Sequence, residues 1–155
     1  MPLRLFLAGI MQGSHLALTL HNQDYRGEIK ALLARHLPRV EVYDPLAGHA
    51  DSVNYDDARG REVFLGHNRM CRDVDILLAV VPQASMGTAI EMWEAHQAGR
   101  VVVAISPLSH NWAVKYLSHI LYTDLSEFAA ALANGSFARA LNGFLGNKFI
   151  GDGCD

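Results

Sequence analysis

Apolar residues fall in four short runs, separated by longer mixed stretches. The runs are Leu3 to Ile10 (LRLFLAGI), Val40 to Tyr43 (VEVY), Asp75 to Val81 (DILLAVV) and Arg100 to Ile105 (RVVVAI). The last two are apolar without alternation, which predicts strands covered on both faces, as in a parallel sheet. Between the runs the period changes. Ile29, Leu32, Leu33, His36 and Leu37 recur at the spacing of one buried helical stripe, and Pro38 stops that helix. Residues Asp57 to Val74 are charged and helical in pattern despite Gly60 and Gly66. Thr88 to Ala98 reads as a helix closed by Gly99, where a left-handed conformation suits glycine. Ile90 and Trp93 are expected to pack it onto the sheet. Leu125, Phe128, Ala129 and Leu132 form a further stripe closed by Asn134-Gly135, and a final helix is expected over Ser136 to Leu145. The stretch 146–155 is glycine-rich and is expected to be a loose tail.

The order β-α-β-α-β-α-β-(α)-α predicts a small doubly wound α/β fold, Rossmann-like or flavodoxin-like. Its parallel sheet would have four to five strands flanked by helices. A chain of 155 residues corresponds to a single domain, 1–155. Half of the residues are apolar and 19% are charged, a globular balance. Net charge is -3 and the pI is about 6.2. No basic field exists to hold a polyanion, which argues against a nucleic-acid polymer or a membrane surface as partner. The apolar start is broken by Gln12 and Gly13, with no signal-peptide pattern and no run of membrane-spanning length. Cys71 and Cys154 form no CxxC pair, so a reduced cytoplasmic protein without a zinc–thiolate site is expected. His49 and Asp51 are two potential metal ligands, too few for a metal site, and no cofactor is indicated.

In doubly wound sheets, ligands bind beyond the carboxyl ends of the strands. That rule selects three loops: Gly9 to Ser14, Asp44 to Asn54 and Pro82 to Thr88. In the third, a buried strand runs into a polar loop and then a helix. Free backbone N–H groups gather at a helix start and favour anions. Gly87 lets a ligand approach the backbone, and Ser85 and Thr88 add hydroxyls. Glu91 follows, expected in the first helical turn, where the helix dipole would keep it ionised. An ionised carboxylate facing a sugar can attack an anomeric carbon. The same residues also spell a capping box, Thr88-x-x-Glu91, in which Glu91 only bonds back to the backbone.

The stretch Arg72 to Glu91 (RDVDILLAVVPQASMGTAIE), continuing to Gly99-Arg100-Val101-Val102-Val103, resembles the nucleoside 2-deoxyribosyltransferase superfamily. The shared pattern is an Asp opening an apolar strand, a small-x-Gly-x-x-x-Glu loop, a helix and a Gly-Lys/Arg strand. The Ser-x-Gly form, Ser85-Met86-Gly87, is closer to the nucleoside 5′-monophosphate N-glycosidase branch, whose Ser and Gly hold the 5′-phosphate. Phe6-Leu7-Ala8-Gly9-Ile10-Met11-Gln12-Gly13 is similar to the family's first strand and its sugar- and base-binding loop. The resemblance spans residues 4 to about 106. It implies that Glu91 is the nucleophile and that Gly9, Ile10, Gln12, Gly13, Ser85, Gly87 and Thr88 contact a nucleoside or nucleotide. It also implies a homodimer or higher homo-oligomer.

Three positions depart from the family pattern. His67 stands where the family has an Asp that handles the base or a sugar hydroxyl. Phe6 replaces a first-strand Tyr that orients the nucleophile, and Gln12 replaces a basic residue of the first loop. An imidazole at position 67 is suited to protonating a leaving base, and it is equally suited to a surface helix. Glu94, one turn beyond Glu91, either perturbs it or faces solvent. Ser106 to Trp112 lies at the carboxyl end of the sheet, where His110 or Asn111 can line a pocket and Trp112 is expected to anchor the next helix. Two functions stay open: cleavage or exchange of an N-glycosidic bond, or nucleotide binding without catalysis on the same fold. A dinucleotide site fits less well, because Gly9-Ile10-Met11-Gln12-Gly13 is not GxGxxG.

Overall fold

The computed structural model describes residues 1–11, 20 and 22–146. Five parallel strands form one sheet: β1 (Leu3–Gly9), β2 (Val40–Tyr43), β3 (Ile76–Val80), β4 (Val101–Ile105) and β5 (Ile120–Tyr122). Their spatial order is β2-β1-β3-β4-β5, the doubly wound, flavodoxin-like arrangement. Six helices connect and cover them: α1 (Asp24–His36), α2 (Asp57–Asp73), α3 (Met86–Gln97), α4 (Trp112–Leu117), α5 (Leu125–Ala133) and α6 (Ser136–Leu145).

The unbroken apolar runs have a direct cause. Every residue of β3 and β4 is buried, and each strand feeds two cores. Leu5, Leu7, Ile76, Leu78, Val101 and Val103 pack with Ile29 and Leu33 of α1, Phe128 of α5, and Phe137 and Leu141 of α6. Phe6, Ala8, Leu77, Ala79, Val102 and Ala104 pack on the opposite face with Cys71 of α2, Met92 and Ala95 of α3, and Val114 of α4. Burial pushes the Cys71 thiol far up, so it stays an unreactive filler.

The hydrophobic pattern does not reveal β5 or the separate α4. Three residues are too short to show a period, and β5 is recognisable only by its parallel pairing with Val103–Ile105. Two packing expectations are corrected. Ile90 and Trp93 are not core residues; they are 41% and 51% exposed. The buried face of α3 is Thr88, Met92 and Ala95. Trp112 is 77% exposed rather than an anchor, and Asn111 instead starts α4 by accepting from the N–H groups of Ala113 and Val114. In the closing stripe Ala131, rather than Ala129, joins Phe128 and Leu132 in the core. Gly99 and Gly135 adopt φ of 69° and 74°, as their helix-ending positions require. Of the loose-tail expectation, residues 147–155 lie outside the described residues.

Asp75, which opens β3, lies at the amino end of the sheet. Its carboxylate accepts the Arg4 N–H at 2.8 Å, while its own N–H donates to the Arg4 carbonyl. Its role there is to fix the start of the β1–β3 pairing, remote from the carboxyl ends.

Candidate active site

At the carboxyl ends, β1 and β3 run side by side, with Gly9 opposite Val80. The connections from these two strands leave toward opposite sides, and a cavity of about 400 Å³ opens at that switch point. Gly9 and Met11 contribute from the first loop, and Ser85, Gly87, Thr88 and Glu91 from the start of α3. The far wall comes from the loop after β2 and from α2: Pro45, His49, Tyr55 and His67.

Glu91 is the deepest acid in this wall. The structure corrects both its helical position and its charge. The N-cap of α3 is Ser85, whose hydroxyl accepts from the Thr88 N–H at 3.3 Å. The helix therefore starts two residues earlier than its pattern suggests, and Glu91 sits in the second turn. The Thr88–Glu91 capping box does not form. Among the described residues no hydrogen bond or ion pair engages the Glu91 carboxyl, which keeps only partial solvent contact. Burial pushes its pKa up to about 8, against a smaller downward pull from the Arg26 guanidinium. Desolvation thus outweighs the helix dipole at this depth, and without ligand the group is largely protonated at neutral pH.

The start of α3 is otherwise open. A side chain built on Gly87 would meet nothing within 4 Å, so its backbone is accessible from the cavity. The Ser85 and Thr88 hydroxyls lie 2.9 Å apart and hydrogen-bond each other. Met86 is almost fully exposed at the cavity mouth.

Beneath the cavity lies a buried ion pair that sequence reasoning did not find. Arg26 donates to Asp44 at 3.1 Å and to the carbonyl of Leu7 at 2.9 Å, with its Nε on Gln23 at 2.7 Å. Lys30 completes Asp44 at 2.9 Å. Tyr25, the neighbour of Arg26, is a second residue of this kind. Its hydroxyl lies where a side chain on Gly9 would be, 2.1 Å from an ideal Cβ. Burial raises the Tyr25 phenol, with the negative charges of Asp44 and Glu91 adding to the rise. The signal available in the sequence was a helix start, Asp24-Tyr25-Arg26, directly following the first loop.

His67 does line the cavity, packed edge-on against Phe6 and Tyr43 at centroid distances of 6.0 and 5.9 Å. Its Nε2 hydrogen-bonds the Tyr43 hydroxyl at 3.1 Å. Burial, then the neighbouring His49, hold its pKa below the usual imidazole value. Phe6 is wholly buried beneath this cluster. Ile10 is buried in the protein and is not a lining residue; its carbonyl accepts from the Gln23 amide at 3.0 Å. Gln12 and Gly13 lie outside the described residues. Glu94 points away and pairs with Arg72. Asn111 borders a smaller neighbouring cavity, together with Ser85 and Met86. His49 and Asp51 do not converge, and no group of three metal-ligating acids, histidines or cysteines occurs among the described residues. Among the same residues no helix is long and apolar enough to cross a membrane.

No family model and no curated protein matches the chain. Solved structures do. A 2-deoxyribosyltransferase from Bacillus psychrosaccharolyticus aligns with a TM-score of 0.60 at 17% identity, over 83% of this chain and 95% of that one. A conserved protein from Enterococcus faecalis V583 aligns with a TM-score of 0.53 at 18% identity, over 86% and 87%. The likeness is one of fold.

Proposed function

We propose that the protein cleaves or exchanges the N-glycosidic bond of a nucleoside or nucleoside 5′-monophosphate, with Glu91 as the nucleophile. One observation carries this reading: a carboxyl without a hydrogen-bond partner among the described residues, set in a cavity at the sheet's switch point beside an open helix start. The solved deoxyribosyltransferase of the same fold supports it. In the first step the ionised carboxylate forms a bond to the anomeric carbon as the C–N bond breaks, and the bonding pair leaves with the base. In the second, water or another base displaces the carboxylate. Two inversions give net retention. The Ser85 hydroxyl and the Gly87 N–H would hold a 5′-phosphate, since a helix start offers free donors and a favourable dipole. Phe6 cannot orient Glu91 by a hydrogen bond. The Tyr25 hydroxyl, lodged over Gly9 and electrostatically coupled to Glu91, is the available replacement.

Incubation with ribo- and deoxyribonucleosides and their monophosphates should release free base. Glu91→Gln should abolish release with the fold intact by circular dichroism. Ser85→Ala should weaken monophosphates selectively and leave nucleosides nearly unchanged. Wild-type kcat/KM should climb with pH and level off above about 8, because only the ionised form attacks. The second reading, nucleotide binding without catalysis, draws on that same raised carboxyl and on the Phe6 and His67 departures. It predicts tight binding with no base release at any pH.

A further inference from the structure

A departing nucleobase anion is a poor leaving group unless a proton reaches it as the C–N bond breaks. His67 is the sequence candidate for that donor, yet its geometry argues against it. Its Nε2 is already bonded to Tyr43, its ring is wedged among Phe6, Tyr43 and His49, and it is disposed to stay neutral.

The adjacent imidazole is differently placed. His49 lines the same cavity as Glu91, on the opposite wall. Its Nδ1 hydrogen-bonds the Tyr55 hydroxyl at 2.8 Å. Its Nε2 has no protein partner among the described residues. A phenol is a far stronger acid than a neutral imidazole N–H, so Tyr55 donates to Nδ1 and the hydrogen of neutral His49 resides on Nε2. In the imidazolium form the phenol O–H rotates away and Nδ1–H donates to the phenol oxygen, and Nε2–H again points outward. Either way one oriented donor is presented. The surrounding loop fixes it. Successive turns run from Asp44 to Ala47, from Leu46 to His49 and from His49 to Ser52, each closed by a backbone bond of 3.0–3.1 Å. Asp44 is in turn locked to Arg26 and Lys30. Arg59 lies over the far face of the Tyr55 ring, 5.6 Å from its centroid. The imidazole rings of His49 and His67 are 5.1 Å apart, and the His49 charge is one of the causes that hold the His67 pKa down.

We propose that His49, held by Tyr55, contacts the base of the bound nucleotide through Nε2–H and protonates it as it departs. This rests on the glycosidic reading above. The step balances. The C–N bonding pair goes to the base nitrogen, which takes the Nε2 proton of the His49 imidazolium, while Glu91 bonds the anomeric carbon. In hydrolysis the now-neutral His49 accepts a proton from the attacking water, and the Glu91 carboxylate leaves.

Two measurements test the proposal on the intact chain. The first is calorimetric binding of the four nucleoside 5′-monophosphates and of ribose 5-phosphate to wild type and His49→Gln. Loss of the contact should weaken the best-bound monophosphate about tenfold or more and leave ribose 5-phosphate unchanged. Equal binding of the monophosphate by both proteins overturns the contact, as does a wild type that binds no monophosphate. The second compares turnover of that monophosphate with nicotinamide mononucleotide, whose pyridinium base departs neutral and needs no proton. His49→Gln should lower kcat for the ordinary base by roughly 10²- to 10⁴-fold and alter the pyridinium rate less than threefold. Tyr55→Phe should show the same selectivity with a smaller loss. Equal losses on both substrates assign His49 a structural role and overturn the proposal, as does no loss on either. Failure of the glycosidic reading looks different: wild type and Glu91→Gln then release no base from either substrate, while the binding arm still decides whether His49 touches the base.

Discussion

Glu91 carries opposing demands that one residue must reconcile. The cavity that could host a sugar also strips water from the carboxyl, and desolvation raises its pKa to about 8. The consequence for stability has a definite sign. Above the ordinary glutamate value near 4.5 the unfolded chain loses this proton while the folded chain keeps it. The folded state is favoured most below that value, and the advantage is lost as pH rises toward about 8. A tenfold difference in proton affinity between the two states is worth about 1.4 kcal/mol, so the total is at most a few kcal/mol for a group that retains some solvent. Glu91→Gln should therefore gain on the wild type between about pH 5 and pH 8 in urea melts and level off above that. A difference independent of pH would mean that the carboxyl titrates normally. Gly9 supplies a second test at this scale. A methyl group there would overlap the Tyr25 hydroxyl, which is wedged against the chain in a buried setting. Gly9→Ala should destabilise by about 1–3 kcal/mol. Combining it with Tyr25→Ala should give less than the sum of the single losses.

At the scale of elements, the legible parts of the chain are those whose residues are buried on both sides. β3 and β4 are continuous apolar runs because helices cover each face, and sequence alone places them within a residue. β5 has three residues and takes its identity from β4. The phase of α3 is deceptive because Ile90 and Trp93 are its bulkiest apolar side chains, and bulk suggests burial. The helix instead lays Thr88, Met92 and Ala95 on the sheet, and Glu91 beside them reaches the cavity. Its start is ambiguous in sequence because Ser85 and Thr88 are both good caps, and only coordinates show which hydroxyl meets which N–H. The candidate site divides the same way. Ser85, Gly87 and Glu91 lie within one local motif and are legible. Tyr25, Arg26 and Asp44 meet only through the β1-α1-β2 crossover, and His49 reaches the cavity that Glu91 lines only through the loop between β2 and α2.

For the whole molecule, the floor of the cavity begins where β1 outruns its neighbour. β2 pairs with β1 only from Leu3 to Phe6, so the last three residues of β1 have an open edge on that side. The Arg26 guanidinium fills it, donating to the carbonyls of Leu7 and Gly9 while its charge is matched by Asp44 at the end of β2. One buried cation thereby ties the first loop, α1 and the loop that carries His49 into a single floor. Removing Asp44 leaves the buried guanidinium without its paired carboxylate, a change that typically costs about 3–5 kcal/mol. Asp44→Ala should lose about that much in urea unfolding. It should also release the loop after β2, seen as faster amide exchange at Leu46, where the N–H donates to the Asp44 carboxylate. Lys30, which is part-exposed, cannot replace this support, and Lys30→Met should cost about 1 kcal/mol or less. Similar losses for the two variants would mean that the pair is no more than a surface contact, and the floor of the cavity would then be held by the backbone turns alone.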